Sequence, residues 1–113
     1  MPAARDDYLV RLITQAAAAM RRLREKLIGG GAPGDVSHDA GAAIGELLGP
    51  QRMLLERLDA ASARQIVGNP DTVRAWSGLL LLQADAEDAR GDAAASQRLR
   101  SRARALTPDT PAP

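Results

Sequence analysis

The apolar positions Leu9, Ile13, Ala16, Met20, Leu23 and Leu27 follow one another at intervals of 4, 3, 4, 3 and 4 residues. That spacing is the seam of a coiled coil or tight bundle, and it predicts one long helix over residues 6–28. Asp6 or Asp7 stands near its start, and Gly29, Gly30 and Gly31 end it. Leu12 and Tyr8 widen the seam on one side, enough for two neighbours. The run from Ala16 to Ala19 removes side-chain bulk at mid-helix and would let another backbone come close.

Residues 29–34, "GGGAPG", read as a flexible hinge, with Asp35 as the N-cap of a second helix ending at "LLGP". That helix turns Ala43, Ile44, Leu47 and Leu48 inward. It also carries Gly41 and Gly45, each costing about 1 kcal/mol against alanine, so it depends on packing. Short helices over 51–58, behind Pro50, and 60–67, behind an Asp59 cap, complete a middle region of short helices spanning 35–67.

Asn69, Pro70 and Asp71 open a stronger helix over 72–90. Val73, Trp76, Leu80 and Ala84 form one stripe, and Leu79, Leu81 and Leu82 fill the other sides, which predicts a central helix buried nearly all round. Gly91 stops it, and Asp92 caps a last helix that runs to Leu106. "TPDTPAP", residues 107–113, is a proline-rich tail expected to be disordered. No segment alternates as a strand does. The reading is all-α: a small helical bundle in one domain, 6–106, with a long N-terminal helix, short middle helices and a C-terminal hairpin over 70–106.

Composition sharpens this picture. A chain of 113 residues holds one domain. Aromatics are 2% of it, Tyr8 and Trp76 alone, so the core must be leucine and alanine. Such a core buries little area per helix. At about 25 cal/mol per Å² of apolar surface it is marginal, and a second subunit or bound protein is expected to supply part of it. The net charge of +1 gives no bulk attraction to nucleic acid or anionic membrane. The absence of cysteine excludes disulfides, thiolate metal sites and cysteine nucleophiles, and fits a reducing cytoplasm. "MPAARDDYLV" does not read as a signal peptide, and "LLLL" at Leu79 to Leu82 falls far short of the roughly 20 apolar residues of a membrane span, so no membrane partner is expected.

The densest polar chemistry lies between Asp85 and Arg104. Asp85, Glu87, Asp88 and Asp92 precede Arg98, Arg100, Arg102 and Arg104. At about 100° per residue, Arg98 and Arg102 fall on one side of a stripe of Ala95, Leu99, Ala103 and Leu106, with Arg100 and Arg104 on the other. The arginines therefore border a packing stripe and make no single basic face. A hairpin about Gly91 would bring the acids opposite Arg98 or Arg102. Asp85 and Asp88 share a helical face, but a metal site in a bundle needs a matching histidine and acids on facing helices. The single histidine, His38, reads as a solvated first-turn residue beside Ser37 and Asp39. No nucleophile elbow, phosphate loop or dinucleotide fingerprint is present. No catalytic, cofactor-binding or metal-binding residue is assigned, and no enzyme activity or cofactor is expected. The spacing of Gly41 and Gly45 signals only that another helix could come close.

The segment "ADAEDARGDAAASQRLRSRARALTP" resembles a single tetratricopeptide hairpin. Ala84 occupies its small position, Gly91 and Asp92 its turn, and Ala103, Leu106 and Pro108 its small, apolar and closing positions. Glu87, Ser96 and Arg100 depart from the pattern, and one repeat cannot form a solenoid. With "RDDYLVRLI" and "GELLG", the chain from Asp6 to Leu106 resembles a family of small bacterial helical proteins of unknown function with a tetratricopeptide-like C-terminal half. The resemblance implies a helical fold and a bacterial source, and it brings no ligand or catalytic residue.

The expectation is a cytoplasmic protein–protein interaction module that self-associates, most simply as a dimer, through Leu9, Ile13, Ala16, Met20, Leu23 and Leu27. The alternative is a nucleic-acid-associated protein using the basic cluster Arg21, Arg22, Arg24 and Lys26.

Overall fold

A computed structural model describes residues 3–108, with side chains placed from Asp7 onward. Six α-helices follow one another: α1 Ala3–Ile28, α2 Pro33–Leu48, α3 Arg52–Arg57, α4 Ala60–Val67, α5 Pro70–Ala89 and α6 Ala93–Leu106, with a 3-10 turn, Gly49–Gln51, ahead of α3. No strand occurs among the described residues, and the fold is the expected all-helical bundle.

The helix ends explain where the chain turns. Gly30 takes φ +89°. The Gly31 amide then donates to Lys26 O at 2.8 Å and the Gly30 amide to Leu27 O at 3.3 Å, a Schellman closure of α1. The same pattern closes α5, where Gly91 stands at φ +84° and the Asp92 amide reaches Glu87 O at 2.9 Å. Asp59, Asn69 and Asp92 cap α4, α5 and α6 through their side chains, as their positions predict. Two starts differ from expectation. α1 begins at Ala3, three residues before the expected start at residue 6. α2 begins at Pro33, whose fixed φ suits a first helical position; its cap is Ala32 and Asp35 lies in the first turn. The hinge is accordingly shorter than residues 29–34.

Cross-helix contacts fix the directions. Ser37 meets Glu87 and Gly41 lies beside Gln83, so α2 runs antiparallel to α5. Arg100 meets Asp85 and Asp88 while Ser77 meets Ala103, so α6 runs antiparallel to α5 as well. α3 and α4 bridge from α2 back to the start of α5. The core is a cluster around Trp76, Leu79, Ile44, Leu55 and Leu106, with a second cluster of Leu23, Val36, Ala40, Leu82 and Ala86. α5 is central, packed against α1, α2, α4 and α6. Of its leucine run only Leu81 is exposed, at 37%.

Small residues set the close approaches, though not always for another helix. A Cβ on Gly78 would stand 2.7 Å from Met20 Sδ, so α5 makes room there for an α1 side chain. Ala16 and Ala19 are buried and line a crevice with Ala43 and Leu47 of α2, so the alanine run admits α2. Gly41 and Gly45 instead accommodate side chains. Their added Cβ atoms would lie 3.2 Å from Gln83 Nε2 and 2.7 Å from Arg52 Nη1.

At the C-terminal end, Thr107 is partly buried; its hydroxyl donates to Ala103 O at 3.0 Å and lies 3.3 Å from Ser77 Oγ. Thr107 of the expected tail therefore packs on the described fold, and residues 109–113 lie outside the described residues.

Candidate interaction surface

The predicted seam divides. Ala16 and Leu23 are buried, at 4% and 3% exposure, and Met20 and Leu27 pack against the buried clusters. Those four face α2 and α5 of their own chain. Leu9 and Ile13 are only half-buried and neither belongs to the buried clusters nor packs against them. Beside them Tyr8 is 56% and Val10 61% exposed. In the N-terminal half of α1, Leu12 packs on the core, Leu9 and Ile13 are half-buried, and Tyr8 and Val10 are the apolar side chains left largely uncovered among the described residues. Periodicity alone could not reveal this split, because it marks a face fit for burial without saying what buries it.

The basic cluster is placed plainly. Arg21, Arg22, Arg24 and Lys26 are all exposed, and none forms an ion pair with a described residue. At about 100° per residue their directions spread over roughly 200° of the helix circumference, so they surround α1 and do not form one flat patch. Arg22 alone reaches toward α2, where it lines an open depression with Asp39 and Glu46.

The C-terminal arginines behave differently from expectation. Arg100, not Arg98 or Arg102, meets the acids of α5: its guanidinium donates to Asp85 Oδ1 at 2.7 Å and Asp88 Oδ2 at 2.6 Å. The edge of α6 that carries Arg100 lies over the face shared by Asp85 and Asp88; the opposite edge turns toward α3. There Arg102 donates to Leu55 O at 2.8 Å and stands over the Trp76 ring at 5.5 Å. Arg98 and Arg104 are exposed. Hydrogen bonding from Arg100, and secondarily from Ser96, holds the Asp88 carboxyl below its ordinary range; Asp88, then Asp85, push Arg100 further up. Asp85 and Asp88 are thereby engaged in holding the hairpin together, and among the described residues no cluster of three or more His, Cys, Asp or Glu is placed to hold a metal ion.

One arrangement went unread in the sequence. Glu87, 7% exposed, accepts a 2.7 Å hydrogen bond from Ser37 Oγ of α2 and another at 3.1 Å from Arg90. It stands where the tetratricopeptide pattern carries an aromatic, and a paired carboxylate there ties α2 to α5. Beside it an open cleft of about 460 Å³ is lined by Gly34, His38, Gly41, Arg52, Gln83 and Arg90. Arg52 is paired with Glu56 at 3.3 Å, and Gln83 donates to Ser37 O at 3.2 Å. The only available signal was the glycine spacing of α2, since Ser37 and Glu87 lie 50 residues apart.

No helix among the described residues is long and apolar enough to cross a membrane. No family model, curated protein or solved structure matches the chain.

Proposed function

We propose that this chain is a non-catalytic, cytoplasmic interaction module of a bacterial cell that self-associates through α1. One observation carries the reading: Tyr8 and Val10 are more than half exposed while Leu9 and Ile13 stay off the core, on the longest helix of the fold. At about 100° per residue Val10 and Ile13 lie on one side of the helix and Tyr8 on nearly the opposite one, so the contiguous apolar patch is that of Val10 and Ile13. The surface is narrower than the full seam, because Ala16, Met20, Leu23 and Leu27 already serve the chain's own core. A tetratricopeptide-like character of the α5–α6 hairpin belongs to the same proposal, with Glu87, Ser96 and Arg100 giving it polar contacts in place of a peptide-binding groove.

A single helix-on-helix contact falls below the ~1,200 Å² at which stable interfaces begin, so association in the micromolar range is expected. Sedimentation velocity across about 1–200 μM should show a weight-average mass that rises with concentration. Ile13→Asp should abolish the rise. A chain that stays monomeric throughout the series defeats the reading.

The exposed cations of α1, which form no ion pair with a described residue, favour a second reading, nucleic-acid binding by Arg21, Arg22, Arg24 and Lys26. It requires binding to DNA or RNA at low ionic strength that weakens steeply as salt is added.

A further inference from the structure

The cleft between α2 and α5 joins open space to hydrogen-bond donors that have no described acceptor, and we infer that it binds a diphosphate group, held at its two ends by Arg52 and Arg90. The inference is independent of self-association through α1. Gly34, His38 and Gly41 form the α2 wall of the cleft, and no carboxylate lines it. Arg52 engages Glu56 through Nε alone, at 3.3 Å. Its Nη1 and Nη2 lie over α2, 2.7 Å and 3.8 Å from where Cβ atoms on Gly45 and Gly41 would stand, and no described residue accepts from either. Arg90 donates to Glu87 through Nη1, which leaves its Nε and Nη2 without a described acceptor; Nε lies 3.9 Å from the Cβ position of Gly34. Gln83 gives one Nε2 proton to Ser37 O at 3.2 Å, and the bare Gly41 leaves the other room to reach into the cleft.

The chemistry of these groups selects the ligand. Two guanidinium forks and an amide N–H are donors, so the ligand is an acceptor-rich anion, and each fork matches the paired oxygens of a phosphoryl group. Gly34 and Gly41 are seven residues apart, which separates the two forks by roughly 10 Å along α2. A single phosphate cannot touch both. With about 2.8 Å for each charge-assisted bond, the remaining span is roughly 5 Å, the distance between the terminal oxygens of a diphosphate. Glu56 and Glu87 each balance one arginine, so attraction at long range is small and the donors hold the anion by contact. The Arg52–Glu56 pair, with side chains 35% and 46% exposed, is weak enough to loosen as the ligand binds. A Kd of about 0.1–1 mM is expected.

Calorimetric titration of the full chain with pyrophosphate, beside inorganic phosphate, tests the site. Pyrophosphate should bind saturably and on the order of tenfold tighter than phosphate. Arg52→Gln removes one fork at an exposed ion pair and should weaken pyrophosphate on the order of tenfold, with the helical circular dichroism unchanged. Gly34→Asp keeps every cation and sets a carboxylate beside Arg90 Nε; an acid suits this first turn of α2, so the fold should persist while affinity falls by a similar factor. Arg98→Gln, at an exposed arginine outside the cleft, should change nothing. No saturable binding up to about 10 mM pyrophosphate, or an equal loss from Arg98→Gln and Arg52→Gln, would overturn the site. Phosphate binding as tightly as pyrophosphate would overturn the two-ended arrangement.

Discussion

The α5–α6 hairpin and the N-terminal half of α1 are built from the same residue types and end in opposite conditions. In the hairpin, the charges between helices are matched within the chain, Arg100 by Asp85 and Asp88, and its apolar stripe covers Ala103 and Leu106 almost completely. On α1, Tyr8 and Val10 stay in water and Asp7, Arg21 and Arg24 have no described ion-pair partner. Both regions are helical and amphipathic. What separates them is whether a facing element exists in the same chain. The hairpin has one by construction, because a turn at Gly91 folds α6 back onto α5. α1 is longer than α2, and Tyr8 and Val10 lie outside the buried clusters that Ala16, Met20, Leu23 and Leu27 join or pack against.

The comparison is broken most forcefully by truncating matched positions in each region. Leu106→Ala, at a fully buried site, should lower the stability of the chain by about 3 kcal/mol in chemical denaturation at low protein concentration. Leu9→Ala, under the same conditions, should cost less than about 1 kcal/mol, because the side chain it removes stays off the core. Equal losses would mean that α1 is covered throughout its length. Next in size is the cap. Asp92→Ala removes the acceptor for the Ala95 amide and should destabilise the chain by about 1 kcal/mol, read as a lower thermal midpoint.

Removing charges sharpens the contrast further. Arg100→Gln loses both exposed ion pairs of the hairpin and should cost up to about 1 kcal/mol in a dilute denaturation experiment. Arg21→Gln should leave that same denaturation curve in place, because Arg21 is exposed and forms no ion pair with a described residue. The smallest effect is on acid stability. Asp88 has its folded value below the ordinary carboxylate range, so its contribution is fully present above about pH 4 and is lost as pH falls through the lower folded value. Asp88→Asn should flatten that part of the pH–stability curve, and an unchanged slope would mean that Arg100 does not hold the carboxylate in solution.

Much of the fold could be read from punctuation. Asn69, Asp59 and Asp92 have side chains suited to capping, glycine alone takes the positive φ at Gly91 without strain, and each of these signals acts within about four residues. Asp35 misled for a local reason as well, since Pro33 two residues earlier is the better helix starter. Signals that depend on distant partners were not legible. Arg100 was placed correctly beside a packing stripe, yet which edge met the acids depended on how α6 rotates over α5. The burial of Glu87 depended on Ser37, and the filling of Gly45 on Arg52, neither of which leaves a trace in local periodicity. For the candidate site, the seam spacing located the helix correctly and overstated the length of it that is free.

The account stands on the uncovered outer flank of α1 being the contact between two copies, and sedimentation equilibrium of the unmodified chain beside Val10→Asp tests it most directly. Val10 is 61% exposed, so the substitution should leave the helical circular dichroism and the melting of dilute protein unchanged. The account predicts a reversible monomer–dimer equilibrium in the micromolar range for the unmodified chain and a monomer at every concentration for the variant. Dimerisation of equal strength in both, or a monomer in both, would contradict it.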